Sequence, residues 1–206
     1  MRTRLALPKH LASIASGLLI VAGLGTVGCA TKREVVVPAP SALLAPQPNS
    51  AEASDSGVQI VVQTNAWDGY PRDLNADVIP LKVTIRNHGR HLLAVRYGNF
   101  TLIAAEGRRY PDIPPYEITG HTYEHLQPRW AYSNAEYVSV PLPTKEMLER
   151  AISEGIVSRN ETAGGFLYFH KPAPGSQTLS FRTVLVDAET GQTFGTIVVP
   201  LSLRPL

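Results

Sequence analysis

Two histidines and a glutamate lie within five consecutive residues, at His121, Glu124 and His125. Imidazole nitrogens bind zinc and a carboxylate beside them can activate a metal-bound water, so this set predicts a metal-binding protein or a metal-dependent hydrolase. That chemistry requires a helix, because only there do His121 and His125 lie one turn apart on one face. Gly120 and Pro128 bracket the segment and leave little room for one. Hydrogen-bonded or solvent-facing loop histidines are the favoured interpretation, and the metal site is the alternative.

Other catalytic motifs are lacking in the sequence. Residues 121–125 fit the His-x-x-Glu-His pattern of inverted zinc metallopeptidases, but the further acidic ligand of that family has no candidate here. The sequence contains no Gly-x-Ser-x-Gly nucleophile motif and no glycine-rich phosphate loop. We therefore expect a protein that is not an enzyme, has no catalytic residue and needs no cofactor.

Aromatic residues in loop-like segments are the remaining candidates for function. Aromatic side chains on loops offer a large contact area at a small cost in conformational entropy, which suits recognition of another molecule. The alternative is that they close the ends of the hydrophobic core. The candidate binding surface consists of Trp67, Tyr70, Tyr116, Tyr123, Trp130 and Tyr132.

The segments that must position these residues are mainly strands. Apolar and polar residues alternate over 81–86, which places Leu81, Val83 and Ile85 on one face. Further strands are predicted over 58–63, 92–97, 99–105, 137–140, 166–170, 178–186 and 194–203. A turn is predicted over 87–90 and a hairpin loop over 187–191, whereas the prolines of 111–128 predict an irregular stretch.

One helix is predicted, over 143–152. Thr144 is a suitable N-cap, an acid follows in the first turn and Gly155 provides a stop. Met147, Leu148, Ala151 and Ile152 have helical spacing and should face a sheet. Seven or eight short strands with one helix predict an all-β fold, an immunoglobulin-like antiparallel β-sandwich with one short inserted helix.

The early strands also resemble those of uncharacterised immunoglobulin-like domains in exported bacterial proteins. The resemblance is carried by a strand that ends at Asn87, by Phe100-x-Leu102 and by Gly107-x-x-Tyr110. It covers about a fifth of the chain. What it implies is a fold, and it implies no activity.

The first 28 residues have the order of a signal peptide, with basic residues, an apolar run over 11–27 and small residues at its end. The residues before Cys29 resemble the lipobox of bacterial lipoproteins, whose cysteine is lipidated and becomes the mature N-terminus. Thr26 stands where that motif commonly has leucine. Cys29 is the sole cysteine, so it cannot close an internal disulfide. Cleavage nearby without lipidation and an uncleaved anchor are the alternatives.

This resemblance implies an address in the cell envelope, with Cys29 acylated. Ala30 follows the cysteine where an aspartate would imply retention in the inner membrane, so the outer membrane is favoured over the inner. The expected partners are the membrane, through the lipid anchor, and an envelope protein. Loss of the signal removes three of the 19 basic residues and leaves them nearly balanced by 17 acidic ones, which argues against nucleic-acid binding.

The predicted organisation has three parts. Residues 1–28 are the signal peptide and residues 58–206 are the β-sandwich domain. Residues 29–57 are rich in proline and alanine and predict a flexible tether, because such a segment buries too little surface to offset its ordering entropy. A short edge strand at Val35, Val36 and Val37 is the alternative for part of that tether.

Overall fold

Antiparallel strands account for most of the chain. The computed structural model describes residues 34–126, 136–173 and 176–205. The strands are β1 Glu34–Pro38, β2 Leu43–Leu44, β3 Ser50–Asp55, β4 Val58–Gln63, β5 Val78–Asn87, β6 Leu93–Val95, β7 Phe100–Ala104, β8 Arg109–Ile113, β9 Gly120–Leu126, β10 Glu136–Leu142, β11 Gly155–Val157, β12 Thr162–His170, β13 Thr178–Asp187 and β14 Thr193–Pro205. The helix is α1, Lys145–Arg150, and short 3-10 turns lie at Leu74–Ala76, Tyr97–Asn99 and Pro115–Glu117.

The strands form two layers that share one strand. The first layer has the order β1-β14-β13-β7-β8, with β6 paired to β13 and β11 paired to β6, and the second has the order β8-β12-β5-β4-β3-β2. Strand β8 pairs with β7 through residues 109–111 and with β12 through residues 112–113, so it joins the layers along one side. The predicted all-β antiparallel sandwich with one short helix is confirmed. Strands β9 and β10 form a separate two-stranded sheet.

The main core lies between the two layers and follows the period-two pattern of the strands. Leu81, Val83 and Ile85 are all at most 1% exposed, as the alternation along β5 predicts. Phe181 packs against Phe100 and Phe169, with ring centroids 6.0 and 6.2 Å away. Each such fully buried side chain stabilises the fold by about 1.5–3 kcal/mol.

A second apolar cluster covers the outer face of the β12 and β5 layer. It forms because β12 is apolar on both faces: Leu167 and Phe169 belong to the main core, whereas Phe166 and Tyr168 point the other way. Helix α1 contributes Met147 to this second cluster, and the Met147 side chain is fully buried. The cluster consists of Trp67, Leu74, Val78, Ile118, Met147, Phe166 and Tyr168.

Helix α1 is shorter than predicted and differs in the face it buries. Thr144 is its N-cap, with Oγ1 accepting a hydrogen bond from Met147 N at 3.3 Å. The helix ends at Arg150 because Ala151 is extended and pairs with Phe166 in an isolated bridge. Ile152 is buried as expected, but Leu148 is 45% exposed. The helix has only six residues, and Met147 is the helix residue buried in the second apolar cluster.

The predicted tether is wrong for residues 34–57, which belong to the sandwich. Strand β1 pairs with β14 along its whole length, and β3 pairs with β4 from Ser50 to Asp55. Val36 and Ala51 are 6% and 0% exposed. Small side chains such as these fill narrow spaces in a close-packed core, so a segment without a long apolar stretch can still be buried. The alternative of an edge strand over Val35 to Val37 is confirmed. The predicted signal peptide, residues 1–28, and residues 29–33 of the predicted tether lie outside the described residues.

The prediction of an irregular stretch over 111–128 is wrong in part, because the segment contains the end of β8 and the whole of β9. Prolines 114 and 115 lie between β8 and β9, and Pro111 lies within β8, opposite Thr101. Pro111 is tolerated within β8 because this strand pairs with β7 at only three residues and with β12 at only two. Within the described residues, no helix combines the length and the apolar character needed to cross a bilayer.

Candidate functional site

The hairpin β9–β10 exposes two tyrosines on one face. Tyr123 lies opposite Ser139, and Tyr137 lies opposite His125, so the two tyrosines are diagonal neighbours in the register. Such neighbours are about 7–8 Å apart on the same face of a sheet. Each tyrosine is 64% exposed, and His121 and Ser139 on this face are exposed as well. We call Tyr123, Tyr137, His121 and Ser139 the aromatic hairpin face.

The other face of the hairpin is turned toward the body of the domain. Thr122 and Val140, which lie opposite each other, are 1% and 3% exposed, and Glu124 is 8% exposed. Glu124 Oε1 lies 4.0 Å from Arg72 Nε. Thr122 Oγ1 and Glu124 Oε2 are buried without a hydrogen-bond partner among the described residues. Burial on one side therefore holds the aromatic hairpin face outward.

The helical geometry of the predicted metal site is not formed, because residues 120–126 are strand β9. Side chains of a strand alternate between faces, so the exposed His121 and the buried Glu124 point in opposite directions. They cannot act on one metal-bound water. The side chain of His125 lies outside the described residues. Within the described part of the chain, no group of three or more metal-binding side chains is close enough to hold an ion.

Trp67 was predicted to belong to a binding surface and instead lies in the second apolar cluster, 8% exposed. Its ring packs edge-on against Phe166 and Tyr168, with centroids 5.1 and 6.2 Å away. Its Nε1 donates a hydrogen bond to the carbonyl oxygen of Pro71 at 2.7 Å. The Arg150 guanidinium lies 5.7 Å from the ring centroid. This residue closes a core, which was the stated alternative for the aromatic set.

The remaining predicted aromatic residues are divided among several places. Tyr70 and Tyr116 are 44% and 64% exposed, but neither lies on the hairpin strands. Trp130 and Tyr132 lie outside the described residues. Tyr137 was missed as a site residue, although its alternation with Val138, Ser139 and Val140 predicted a strand. The signal that could have found it is the pairing of that strand with residues 120–126.

A buried carboxyl group lies at Asp112, on β8. Asp112 is 7% exposed, and neither side-chain oxygen has a hydrogen-bond partner among the described residues. Burial, and next the charge of Glu154, raises the pKa of this carboxyl to about 8. Glu154 Oε1 accepts a hydrogen bond from Tyr97 N at 2.8 Å, and Tyr97 Oη donates to the Ile152 carbonyl at 2.8 Å. Burial also raises the pKa of Tyr97 to about 12.

A histidine and an aspartate form a pair at the C-terminal end of β13. His91 Nδ1 lies 2.6 Å from Asp187 Oδ2, and the His91 ring stacks on Phe194 with centroids 4.6 Å apart. The other oxygen of Asp187 accepts hydrogen bonds from Thr190 N and Glu189 N, each at 2.9 Å. The hydrogen bond from Thr190 N, followed by that with His91, lowers the pKa of Asp187 to about 2. These bonds fix the β13–β14 turn, so the pair has a structural role.

No protein-family model and no curated protein sequence matches the chain. The solved structures similar to it include three bacterial proteins. The ycdA protein of Bacillus subtilis, provisionally named a lipoprotein, has a TM-score of 0.41 and 13% identity over 73% of this chain and 38% of its own. The yjhA protein of Bacillus subtilis has a TM-score of 0.41 and 12% identity, over 68% and 82%. The secreted protein MPT63 of Mycobacterium tuberculosis has a TM-score of 0.32 and 14% identity, over 69% and 90%.

These similarities are too low to carry an argument about function. The chain spans 38% of the length of the ycdA protein, so most of that structure has no counterpart here.

Proposed function

We propose that this protein is a lipid-anchored, non-catalytic binding domain of the bacterial cell envelope, and that its aromatic hairpin face holds a protein partner. The observation that carries the proposal is the pair Tyr123 and Tyr137, each 64% exposed and adjacent on one face of a hairpin. Exposed tyrosines are a frequent feature of interface centres, since they bury a large area and lose few rotamers.

The hairpin is suited to this role because its two faces differ. On the inner face, Thr122 and Val140 are buried against the domain, whereas Val138 is 39% exposed. A surface that is ordered before binding loses less conformational entropy when a partner docks. His121 and Ser139 border the tyrosines and supply polar groups for hydrogen bonds at the rim.

The anchor in this proposal is Cys29. The lipobox-like residues before it and the signal-like segment support lipidation and export, and acyl chains on one cysteine hold a protein on a bilayer by about 0.8 kcal/mol per buried methylene. Ala30 supports the outer membrane over the inner one. The partner is then an envelope protein within reach of the anchored domain.

Site-specific photocrosslinking tests the binding role. A photoreactive phenylalanine analogue replaces Tyr123 in one variant and Tyr116 in a matched control, since Tyr116 is equally exposed but lies outside the hairpin. We expect one discrete adduct from native membranes at position 123, weakened by Tyr137→Ala, and none of that mass at position 116. The adduct identified by mass spectrometry should reappear when the photoreactive residue is placed in the partner. The same adducts at both positions, or none at 123, would contradict the proposal.

A further inference from the structure

The start of β1 limits the distance between the domain and its anchor. Glu34 is the fifth residue after Cys29 in the sequence. A fully extended chain spans at most about 3.6 Å per residue, so Glu34 lies within about 18 Å of the Cys29 backbone. Since residues 34–57 belong to the sandwich, no longer spacer separates the strands from an acylated Cys29.

The end of the sandwich that contains Glu34 is formed by a row of strand ends. Glu34 pairs with Pro205 of β14. Leu203 N donates to the Gln177 carbonyl at 2.9 Å, and Ala105 N donates to the Thr178 carbonyl at 3.1 Å. The β7–β8 turn then closes through Ala104 N and the Arg108 carbonyl at 2.9 Å. We call this row, with residues 34, 105–109 and 204, the anchor end.

Three arginines are exposed at the anchor end, Arg108, Arg109 and Arg204. None of them forms an ion pair with another side chain in the described part of the chain. Strand spacing of about 4.8 Å places Arg204 and Arg109 roughly 15–20 Å apart across the layer. Glu106, within the β7–β8 turn, accepts a hydrogen bond from Ser176 Oγ at 2.9 Å. A backbone hydrogen bond, then the bond from Ser176 and the charge of Arg108, lower the pKa of Glu106 without a close ion pair. Guanidinium groups on both sides of the row thus remain available to an external anion.

We propose that the anchor end lies against the bilayer and that Arg108, Arg109 and Arg204 bind the phosphates of anionic lipid headgroups. This inference rests on the acylation of Cys29 proposed above. The occupant of the surface is a lipid bilayer, because the short covalent reach from Cys29 allows this end to touch the membrane surface. At contact, within a Debye length of about 10 Å, anionic headgroups attract arginine side chains, and a guanidinium binds phosphate through two parallel hydrogen bonds.

Fluorescence quenching in vesicles tests the orientation. Acylation blocks the thiol of Cys29, the sole native cysteine, so a new cysteine is a single labelling position in the full-length lipidated protein. Ala105→Cys places a fluorophore at the anchor end, and Gln192→Cys places one in the β13–β14 turn at the opposite end; both residues are exposed. With a quencher attached to lipid headgroups, we expect several-fold stronger quenching at 105 than at 192. Equal quenching, or stronger quenching at 192, would overturn the orientation.

Charge substitution tests the lipid contact in the same vesicles. Arg108→Gln with Arg109→Gln should weaken the response of the 105 fluorophore to phosphatidylglycerol, by about fivefold in apparent affinity per arginine. Arg90→Gln with Arg159→Gln, at exposed arginines of the opposite end, is the matched control and should leave it unchanged. An equal response of both double variants would overturn the headgroup contact.

The acyl mass on Cys29 separates the two proposals. If mass spectrometry finds Cys29 without acyl chains, the anchor and this inference both fail. If Cys29 carries acyl chains and the two fluorophores are quenched equally, this inference fails and the anchor stands.

Discussion

At the scale of single residues, burial opposes ionisation of Asp112. Its carboxyl group lies on the core side of β8 together with Tyr110, and its pKa is raised to about 8. A neutral carboxyl is therefore part of the folded state at physiological pH. The pKa is raised mainly because the buried carboxylate loses its hydration, and the negative charge of Glu154 adds a smaller repulsion.

Asp112 should make stability fall as the pH rises. Below the ordinary aspartate pKa of 3.8, the folded and unfolded states both hold the proton. Between that value and about 8, the folded state keeps a proton that the unfolded chain has released, so unfolding becomes easier by about 1.4 kcal/mol per pH unit at most. We expect Asp112→Asn to flatten this slope and to be the more stable protein near pH 8.

Urea unfolding at a series of pH values measures this effect. The matched control is Asp77→Asn, at an exposed aspartate, which should keep the slope of the unchanged protein. If Asp112→Asn and the unchanged protein lose stability in parallel from pH 4 to pH 8, the raised pKa of Asp112 is disproved.

At the scale of elements, the join between α1 and β12 depends on one glycine. Gly165 lies where the chain leaving α1 crosses β12, and a Cβ atom there would be 2.5 Å from Ile152 N and 2.7 Å from Ala151 C. Both are backbone atoms held by the bond from Ile152 N to the Phe166 carbonyl at 3.0 Å. The close crossing brings α1 onto the second apolar cluster.

Gly165→Ala should therefore destabilise the protein. The added methyl group must push two backbone segments apart, and overpacking of this kind typically costs about 1–3 kcal/mol. Gly155→Ala is the control, because a Cβ there would meet no atom within 4 Å. Thermal unfolding followed by circular dichroism compares them, and an equal melting temperature for both variants would contradict the close crossing.

A second prediction at this scale concerns amide hydrogen exchange in the strands β1 and β3. Their amides should exchange with deuterium slowly, since β1 is hydrogen-bonded to β14 and β3 to β4. A flexible tether would exchange within the dead time. Hydrogen exchange followed by mass spectrometry measures the deuterium uptake of peptides covering residues 50–55. Peptides covering β4 serve as the internal reference. Complete early exchange of 50–55 beside a protected β4 would refute the pairing.

At the scale of the whole molecule, the first strand begins at Glu34, the fifth residue after the proposed anchor at Cys29. Because residues 34–57 belong to the sandwich, acylation of Cys29 would hold the domain close to the membrane surface. The proposed partners are envelope proteins in or near the same bilayer. A protein on a long tether would instead sample a much larger volume.

Replacement of Cys29 should release the protein from membranes. Cys29→Ser removes the thiol that the acyl chain requires, so we expect loss of metabolic labelling with a fatty acid and a shift from the membrane fraction into the soluble fraction. Ser41→Ala, beyond the lipobox-like residues, serves as the control and should retain the label. Equal labelling of both variants would rule out acylation at Cys29.

Local sequence signals determined much of the sandwich. Strand β4 was predicted at the observed bounds, and β5, β13 and β14 were predicted within a few residues of each end. Thr144 was recognised as the N-cap of α1. These features could be predicted because alternation along a strand and the first turn of a helix depend on neighbours in the sequence.

The candidate site depended on contacts between distant parts of the chain. Trp67 is buried because Phe166 and Tyr168 come across from β12, and its own segment contains no sign of them. His121 and Glu124 point apart because β10 pairs with β9 and makes a strand of a segment that could have been helical. Residues 34–57 gain a place in the core only when β14 and β4 are present to pair with them.

By itself, the sequence determined the all-β class, the positions of eight of the fourteen described strands and the position of Cys29 after a signal-like segment. The tertiary structure decided which aromatic residues are exposed and that the sandwich includes residues 34–57. The physical reason is that strand propensity is a local property, whereas burial and pairing require partners from elsewhere in the chain.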